Sequence, residues 1–378
     1  MLTLTVTPYA LALSRPVTTS RRAAALREGW RVALRCPSGL VGVGEAACWV
    51  GFGAGEGATA RDLAALADPS HPSLAALSAL SLHHPEARAD LEDIEGACAA
   101  VASPEARHAL ELAALDLRAQ ALDLPLAALL AERPLPPHAL AAPTHALVSD
   151  LSEASRALGE GYAALKMKVG VTSHWSQEMM EVARVAALID EGGGEVGRVG
   201  LRLDANGAWG LKEARACCVV AGALGVEWVE EPLHASLGGA SWPSWRAVGG
   251  AGAAPLGADE SVGSVARAEE AVLLGGAGVV TLKPMFLGGL LPALRAAERV
   301  AGLGARVCVT HALESSLGRR GAAHLCAALA ARGLSPAGGL GGALEGDPSH
   351  ALRVFAGRVT LDPSPGLGEV RRPLRGEA

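Results

Sequence analysis

The chain has 378 residues, enough for two domains of roughly 100–200 residues each, and half of those residues are hydrophobic against 19% charged, which excludes a disordered chain. Thirty-three basic against 39 acidic side chains leave a formal charge of −6, so there is no basic surplus to drive nucleic-acid binding. Aromatic residues make up only 3%, so the core is built from Ala, Leu and Val, a composition suited to close-packed helices over buried parallel strands.

The opening segment MLTLTVTPYALALSRPV has no basic stretch ahead of its apolar residues, and Thr and Pro interrupt it, so it does not read as a secretory signal. Seven cysteines, odd in number and without a C-x-x-C pair, fit neither a disulfide framework nor a zinc site. The weakly polar runs at 217–226 and 271–282 are too short to span a bilayer. A reduced, cytoplasmic, soluble protein is expected, one that engages neither membrane nor nucleic acid.

Residues 1–50 alternate apolar and polar in short pieces (LTLTV, WRVALRC, LVGVGEA), the pattern of an antiparallel sheet with one solvated face. GFGAGEG at 51–57 follows; no acidic ribose ligand ends a following strand, so a covering loop fits better than a dinucleotide fingerprint. His83 and His84, before a proline, are expected at the surface. Ser103 is a candidate N-cap before Pro104, with Leu110, Ala114, Leu117 and Ala121 at helical spacing behind it. A Pro-rich stretch within 133–145 then reads as a linker.

Beyond it a unit repeats: a short apolar run ending in a polar residue, a Gly-containing loop, and an amphipathic helix. Helices are expected at 178–190, with Met179, Val182, Ala186 and Ile189 on one face, and at 292–301, begun by Pro292. The runs AALKMKV, VGLRLD, VEWVE, PLGAD, VVTLK and RVCVT place Lys168, Asp204, Glu230, Asp259, Lys283 and the following His311 at successive intervals of 24 to 36 residues. A strand–helix unit needs about 30 residues. Six consecutive strands that each end in a polar group favour a closed barrel, which gathers all strand ends on one face, over an open sheet with a single switch point.

Asp204, Glu230 and Asp259 would then point into one mouth, and bare carboxylates held that close repel. A hard divalent cation resolves the conflict, and all-oxygen ligation favours Mg²⁺, with Mn²⁺ as an alternative, over zinc. The competing reading has each carboxylate cap a helix or pair with an arginine. Lys166 and Lys168, two apart in a strand, point the same way, and a nearby cation and ammonium are expected to depress a lysine pKa far enough for a neutral base. Lysines flanking a metal suit abstraction of a proton next to a carboxylate.

KMK at 166–168, LRLDANGAW at 201–209, WVEEPL at 228–233, GADES at 257–261 and LKPMFLGG at 282–289 resemble, in order and spacing, the muconate-lactonizing branch of the enolase superfamily, and within it the o-succinylbenzoate synthase subgroup. The likeness runs from about Leu2 to PGLG near 368 and includes LDLRAQALDLPLAALL at 115–130. It implies an α/β fold: a (β/α)₇β TIM-like barrel over 140–345, with an N-terminal α+β capping domain over 1–130 completed by about 350–378. It also implies Asp204, Glu230 and Asp259 as Mg²⁺ ligands, Lys168 as general base, Lys166 as the lysine that helps hold a substrate carboxylate, and Lys283 as the cation across the site. Asn206, Glu231 and Glu260 would support them from behind.

For the substrate, the resemblance implies that Ser315 and Ser316 in THALESSLGR offer backbone N–H groups to a distal carboxylate. An ordinary helix N-cap is the competing reading of Ser315. Gly288, together with Arg21 in TTSRR at 18–22 and Phe52 in GFG at 51–53, would complete the substrate site. The implied reaction is dehydration of 2-succinyl-6-hydroxy-2,4-cyclohexadiene-1-carboxylate to o-succinylbenzoate, a step toward menaquinone, by a lyase whose partner is a small carboxylate. A homo-oligomer is compatible with this. Two rivals stand: an N-acylamino acid racemase or dipeptide epimerase using Lys168 and Lys283 as opposed bases, and an inactive barrel kept for binding. A dipeptide epimerase should carry Asp-x-Asp near the eighth strand, where this chain has GGALEGD. His311 is expected as a wall residue or behind the site, and RRPLR at 371–375 as a solvated tail.

Overall fold

The computed structural model describes residues 2–18, 23–49, 52–191, 199–233, 241–334, 336–341, 344–345, 352 and 354–368. The cap begins with an antiparallel sheet of β1 (Thr3–Thr18), β2 (Ala23–Arg35) and β3 (Val41–Ala46). Alternation drives it: Leu2, Leu4, Val32 and Leu34 are buried, while Thr3, Thr5 and Arg35 face water. Helices α1 (Glu56–Leu66), α2 (Pro72–Ala79), α3 (Leu91–Cys98), α4 (Pro104–Ala121) and α5 (Leu126–Ala131) follow. His84 is exposed and His83 half-buried, their rings 4.1 Å apart.

Helix α4 is the element on which cap and barrel meet. Ser103 stands at its N-cap, as expected, though its side chain makes no capping bond. The Ala- and Leu-rich sequence buries this helix on nearly all sides. It lies directly against the backbone of β3: a Cβ at Gly42 or Gly44 would come within 1.9 Å of the carbonyl oxygens of Ala113 and Ala109. Only glycine permits that approach.

On the barrel side of α4, Glu111 Oε1 accepts the N–H of Leu291 at 3.0 Å, and Oε2 is buried without a hydrogen-bond partner among the described residues. Burial pushes this carboxyl up to about 8. A carboxyl raised in the folded state stabilises the fold while protonated, and that contribution is lost as the pH climbs through its folded pKa. Glu111→Gln is therefore expected to raise the melting temperature at about pH 9 and to flatten its decline between about pH 4.5 and pH 8. A variant whose melting temperature tracks the wild type across that range overturns this.

The stretch expected to be a plain linker carries a 3₁₀ turn (Pro137–Ala139) and a strand, β4 (Ala141–Pro143). The barrel strands follow: β5 (Ala146–Val148), β6 (Ala164–Lys168), β7 (Gly200–Asp204), β8 (Trp228–Glu230), β9 (Leu256–Ala258), β10 (Val279–Leu282), β11 (Arg306–Thr310) and β12 (Ala337–Gly339). They pair in sequence order, all parallel, and the N–H of His145 closes the ring on the carbonyl of Gly338 at 2.9 Å. Between them run α6 (Leu151–Gly159), α7 (Trp175–Glu191), α8 (Leu211–Ala223), α9 (Trp242–Val248), α10 (Val265–Leu273), the pair α11 (Pro284–Leu287) and α12 (Leu290–Gly302), and α13 (Ser316–Ala331). This is the (β/α)₇β barrel, with the eighth strand left without a helix.

Helix α12 starts two residues before Pro292, which sits in the first turn, where the missing N–H costs nothing. The barrel floor is the buried Trp228 ring, with the guanidinium groups of Arg202 and Arg306 at 4.3 and 5.1 Å from its centroid. After β12, β13 (Leu344–Glu345) pairs with β1 in the cap sheet, so the chain has left the barrel by that point. The hairpin β14 (Val354–Phe355) and β15 (Arg358–Thr360) pairs with β4 at the foot of the barrel, and Gly366 bonds back to Leu124 and Leu126 beside α5. All seven thiols are free. Among the described residues no helix is long and apolar enough to cross a membrane.

Candidate active site

The alternation in ALKMK sends Leu165 and Met167 into the packing between strand and helices, and turns Lys166 and Lys168 inward. Parallel register then stacks the site in layers: Lys166 beside Arg202 and Trp228, and above them Lys168 beside Asp204 and Glu230. Asp259 lies just beyond β9, and Lys283 is the N-cap residue of α11. The three carboxylates expected to converge are all buried at this one end of the barrel.

Lys166 Nζ lies 2.7 Å from Glu230 Oε1 and 3.0 Å from Asp204 Oδ2, and Lys283 Nζ bonds both oxygens of Asp259. Burial alone would lower the pKa of Lys166, but Asp204, Glu230 and Asp259 more than reverse this and hold it well above the usual lysine range. The neighbours that set this direction are anions, the opposite of the metal ion and second ammonium from which a lowered lysine was expected. Lys283 is likewise raised, burial being outweighed by Asp259, Glu260 and Glu230.

Lys168 differs from both. It stands exposed at the mouth, and its Nζ meets the amide oxygen of Asn206 at 3.0 Å. Asn206 in turn donates from Nδ2 to Glu260 Oε1 at 2.9 Å, so a strand-end amide orients the lysine and is itself held by a carboxylate. Asn206 and Glu231 adopt left-handed backbone, φ 45° and 41°, which is sparsely populated and costly for a residue such as glutamate. Compensation is local. The carboxylate of Glu231 accepts the N–H groups of Asp259 and Ser261 at 3.0 and 3.3 Å and the Ser261 hydroxyl, fixing the turn that carries Asp259.

As placed, no three Asp, Glu, His or Cys side chains among the described residues converge closely enough to hold a metal ion. Lys166 stands between two of the expected ligands, and Lys283 holds the third. The donor chemistry nonetheless fits a hard divalent cation. Burial, and then repulsion from neighbouring carboxylates, raises the carboxyls of Glu230 and Asp259, and burial takes Glu231 and Glu260 up to about 7. The oxygens of these buried acids are the donors Mg²⁺ prefers, and one of them, Glu260 Oε2, is buried without a hydrogen-bond partner among the described residues.

The cap contributes Phe52, which stacks on Phe286 at 4.8 Å and lies 4.7 Å from Lys283 Nζ, so this residue does reach the site. Arg21 lies outside the described residues. Gly288, left-handed at the end of α11, faces Pro104 and Arg107 of α4. Ser315 is the N-cap of α13, its side chain accepting from the Leu317 N–H at 3.3 Å. Its own N–H and hydroxyl go to Glu45 at 2.8 and 2.6 Å, and the Gly318 N–H joins them at 2.8 Å. The expectation of a Ser315 N–H offered to substrate is therefore corrected: a carboxylate from the cap already fills that helix N-terminus. Ser316 is fully buried.

Glu45 and its neighbour Arg27 escaped sequence reasoning. Arg27, buried on β2, donates to the carbonyls of Ala47 and Cys48 in the cap and of Ala312 and Leu313 in the barrel. The available signal was a charged residue closing the apolar run LVGVGEA. His311 is a wall residue: burial drives its pKa to about 3, Nδ1 accepts from the Leu313 N–H at 3.1 Å, and Nε2 therefore carries the proton given to the Gly341 carbonyl at 2.7 Å.

The family described as enolase C-terminal domain-like matches residues 150–372. The chain is 32% identical over 179 residues to the L-Ala-D/L-Glu epimerase of Bacillus subtilis, covering 47% of this chain and 46% of that protein. It is 36% identical over 165 residues to o-succinylbenzoate synthase of Thermobifida fusca, covering 43% of this chain and 47% of that one. The chain thus spans about half the length of these curated relatives. The solved substrate-liganded complex of the Bacillus subtilis epimerase matches 97% of both chains at 25% identity, with a TM-score of 0.71. With the family matched over more than half of its length, the chain belongs to the enolase superfamily.

Proposed function

We propose that this chain dehydrates 2-succinyl-6-hydroxy-2,4-cyclohexadiene-1-carboxylate to o-succinylbenzoate, with Lys168 as the acid–base group. The observation that carries the reading is the inequality of the two lysines. Lys168 is exposed and touches a neutral amide, whereas Lys283 is buried between the Asp259 carboxylate and the Phe52 ring, held as a fixed cation. A syn elimination needs one mobile base and one fixed cation; a racemisation needs two bases.

Lys168, in its amine form, takes the proton from C1 of the ring, and the electron pair moves onto the carboxylate to give an enediolate. The Lys283 ammonium offsets part of that charge. The pair then returns to form the ring double bond as the C6 hydroxyl leaves, protonated by the Lys168 ammonium, so one water departs and Lys168 is regenerated. Asn206 holds Lys168 in line through both steps, and Lys166 presents its charge to the substrate carboxylate. A Mg²⁺ ion held by Asp204, Glu230 and Asp259 would supply further charge to the carboxylate oxygens.

A second reading keeps the same first step. The likeness to the Bacillus subtilis epimerase favours racemisation or epimerisation, with Lys283 returning a proton to the opposite face. A dipeptide brings a free ammonium that needs an anionic partner. The sequence AGGLGGA at 337–343, which begins with the eighth strand, offers no carboxylate, and the next acid, Glu345, lies in the cap strand β13. N-acylated amino acids escape this objection. Incubation with Mg²⁺ and the cyclohexadiene, beside N-succinyl amino acids in D₂O, separates the readings. Dehydration is expected; α-deuteration and racemisation without dehydration overturns it.

A further inference from the structure

We infer that Leu147, on the first barrel strand, determines specificity by forming, with β12, an uncharged wall of the mouth that takes the hydrocarbon body of the substrate. For the identity of that substrate the inference rests on the reading above. Register fixes where Leu147 points. It pairs with Lys166 in a parallel ladder, and paired residues share a face. Lys166 reaches Glu230 and Asp204 inside the ring, so Leu147 faces inward too.

Its exposure sets it apart. Leu147 is 63% exposed, while Lys166, Arg202 and Trp228, which follow it along the ladder as the staggered strands descend toward the floor, are 8%, 8% and 1% exposed. A lone leucine on an outer surface needs no explanation. On the inner face of a barrel, an apolar side chain left in water beside a lysine pair is a contact surface without its contact.

The neighbouring strand extends the same character. At Gly339 an added Cβ would meet the His145 ring at 2.7 Å and the Thr310 hydroxyl at 3.0 Å, so β12 carries no side chain there. At Gly341, past the strand, the nearest atoms are 3.7 Å away. The groups behind are uncharged: His311 donates to the Gly341 carbonyl, and His145 Nδ1 accepts from Arg202. The ammonium and carboxylate groups of the site stand at the ends of β6 to β10, beginning with Lys166 on the strand next to Leu147, and none stands on β5 or β12. A substrate whose carboxylate sits among those charges lays its uncharged ring against Leu147.

The test compares Leu147→Asn, Leu147→Ala and Leu147→Met with wild type, with KM, kcat and calorimetric binding of o-succinylbenzoate as readouts. Leu147→Asn is expected to raise KM and weaken product binding by about tenfold, the scale of a changed apolar pocket contact, with kcat nearly unchanged. Leu147→Ala gives a smaller loss in the same sense without adding a polar atom, and Leu147→Met restores binding. Product affinity and KM unchanged in the asparagine and alanine variants overturn the inference. If wild type racemises N-succinyl amino acids but does not dehydrate, the proposed reaction falls alone. The inference then stands if Leu147→Asn raises KM for substrates with apolar side chains more than for polar ones, and falls if both move together.

Discussion

Lys168→Ala is expected to lower turnover by about 10²–10⁴-fold, the range for removal of a positioned acid–base group. The loss should fall on kcat, because Lys166 still presents its ammonium to the substrate carboxylate and the cluster of acids is untouched. Two controls give the result its meaning. Calorimetric uptake of Mg²⁺ should persist, since Lys168 bonds Asn206 rather than any of the three expected ligands. Lys168→Arg should be nearly as impaired as the alanine variant, because a guanidinium cannot give up its proton in a protein. A Lys168→Ala enzyme that turns over near the wild-type rate removes this residue from the chemistry, and with it the proposed mechanism.

The second large effect is expected at Glu230. Glu230→Gln keeps the shape of the side chain and removes the charge shared with Lys166. Removing one partner of a buried ion pair ordinarily costs about 3–5 kcal/mol. Here two features oppose that cost: Asp204 remains 3.0 Å from Lys166 Nζ, and Glu230, raised first by burial and then by Asp259, is a reluctant anion. Without metal, the variant should melt within a few degrees of wild type. With Mg²⁺ at a hundredfold its Kd, wild type should gain about 2.7 kcal/mol, while the variant gains little and loses turnover. Equal Mg²⁺-induced stabilisation of both proteins would falsify the assignment of Glu230 as a ligand.

The parts of this fold legible in the sequence are those whose cause is local. KMK, LRLD, WVE, GAD and TLK each show an apolar run ending in a charged group, and parallel pairing in sequence order puts Lys168, Asp204 and Glu230 in one layer. The first and eighth strands, ALV and AGG, are three residues each and end in no charge, so the pattern that revealed the others is missing. Ser315 shows a different limit. An N-cap and an open anion site look alike in THALESSLGR, and what separates them is Glu45, 270 residues away. The ionisation of Lys166 was likewise hidden, because its sign depends on distances to Asp204 and Glu230 that no spacing encodes. The same holds for Leu147, whose significance lies in its register with Lys166 and not in its residue type.

The contacts of Glu45 and Arg27 bear on how such a protein can change over time. The cap's third strand supplies the anion for the α13 N-terminus, and its second strand supplies the cation for carbonyls on both sides of the seam. A barrel combined with a foreign cap would leave the Ser315 and Gly318 N–H groups without an acceptor, and a cap moved elsewhere would carry a buried guanidinium with half its carbonyls gone. The two parts are therefore not interchangeable modules. On the proposal above, a change of substrate preference would then come from substitution at positions such as Leu147, within a cap and barrel inherited together.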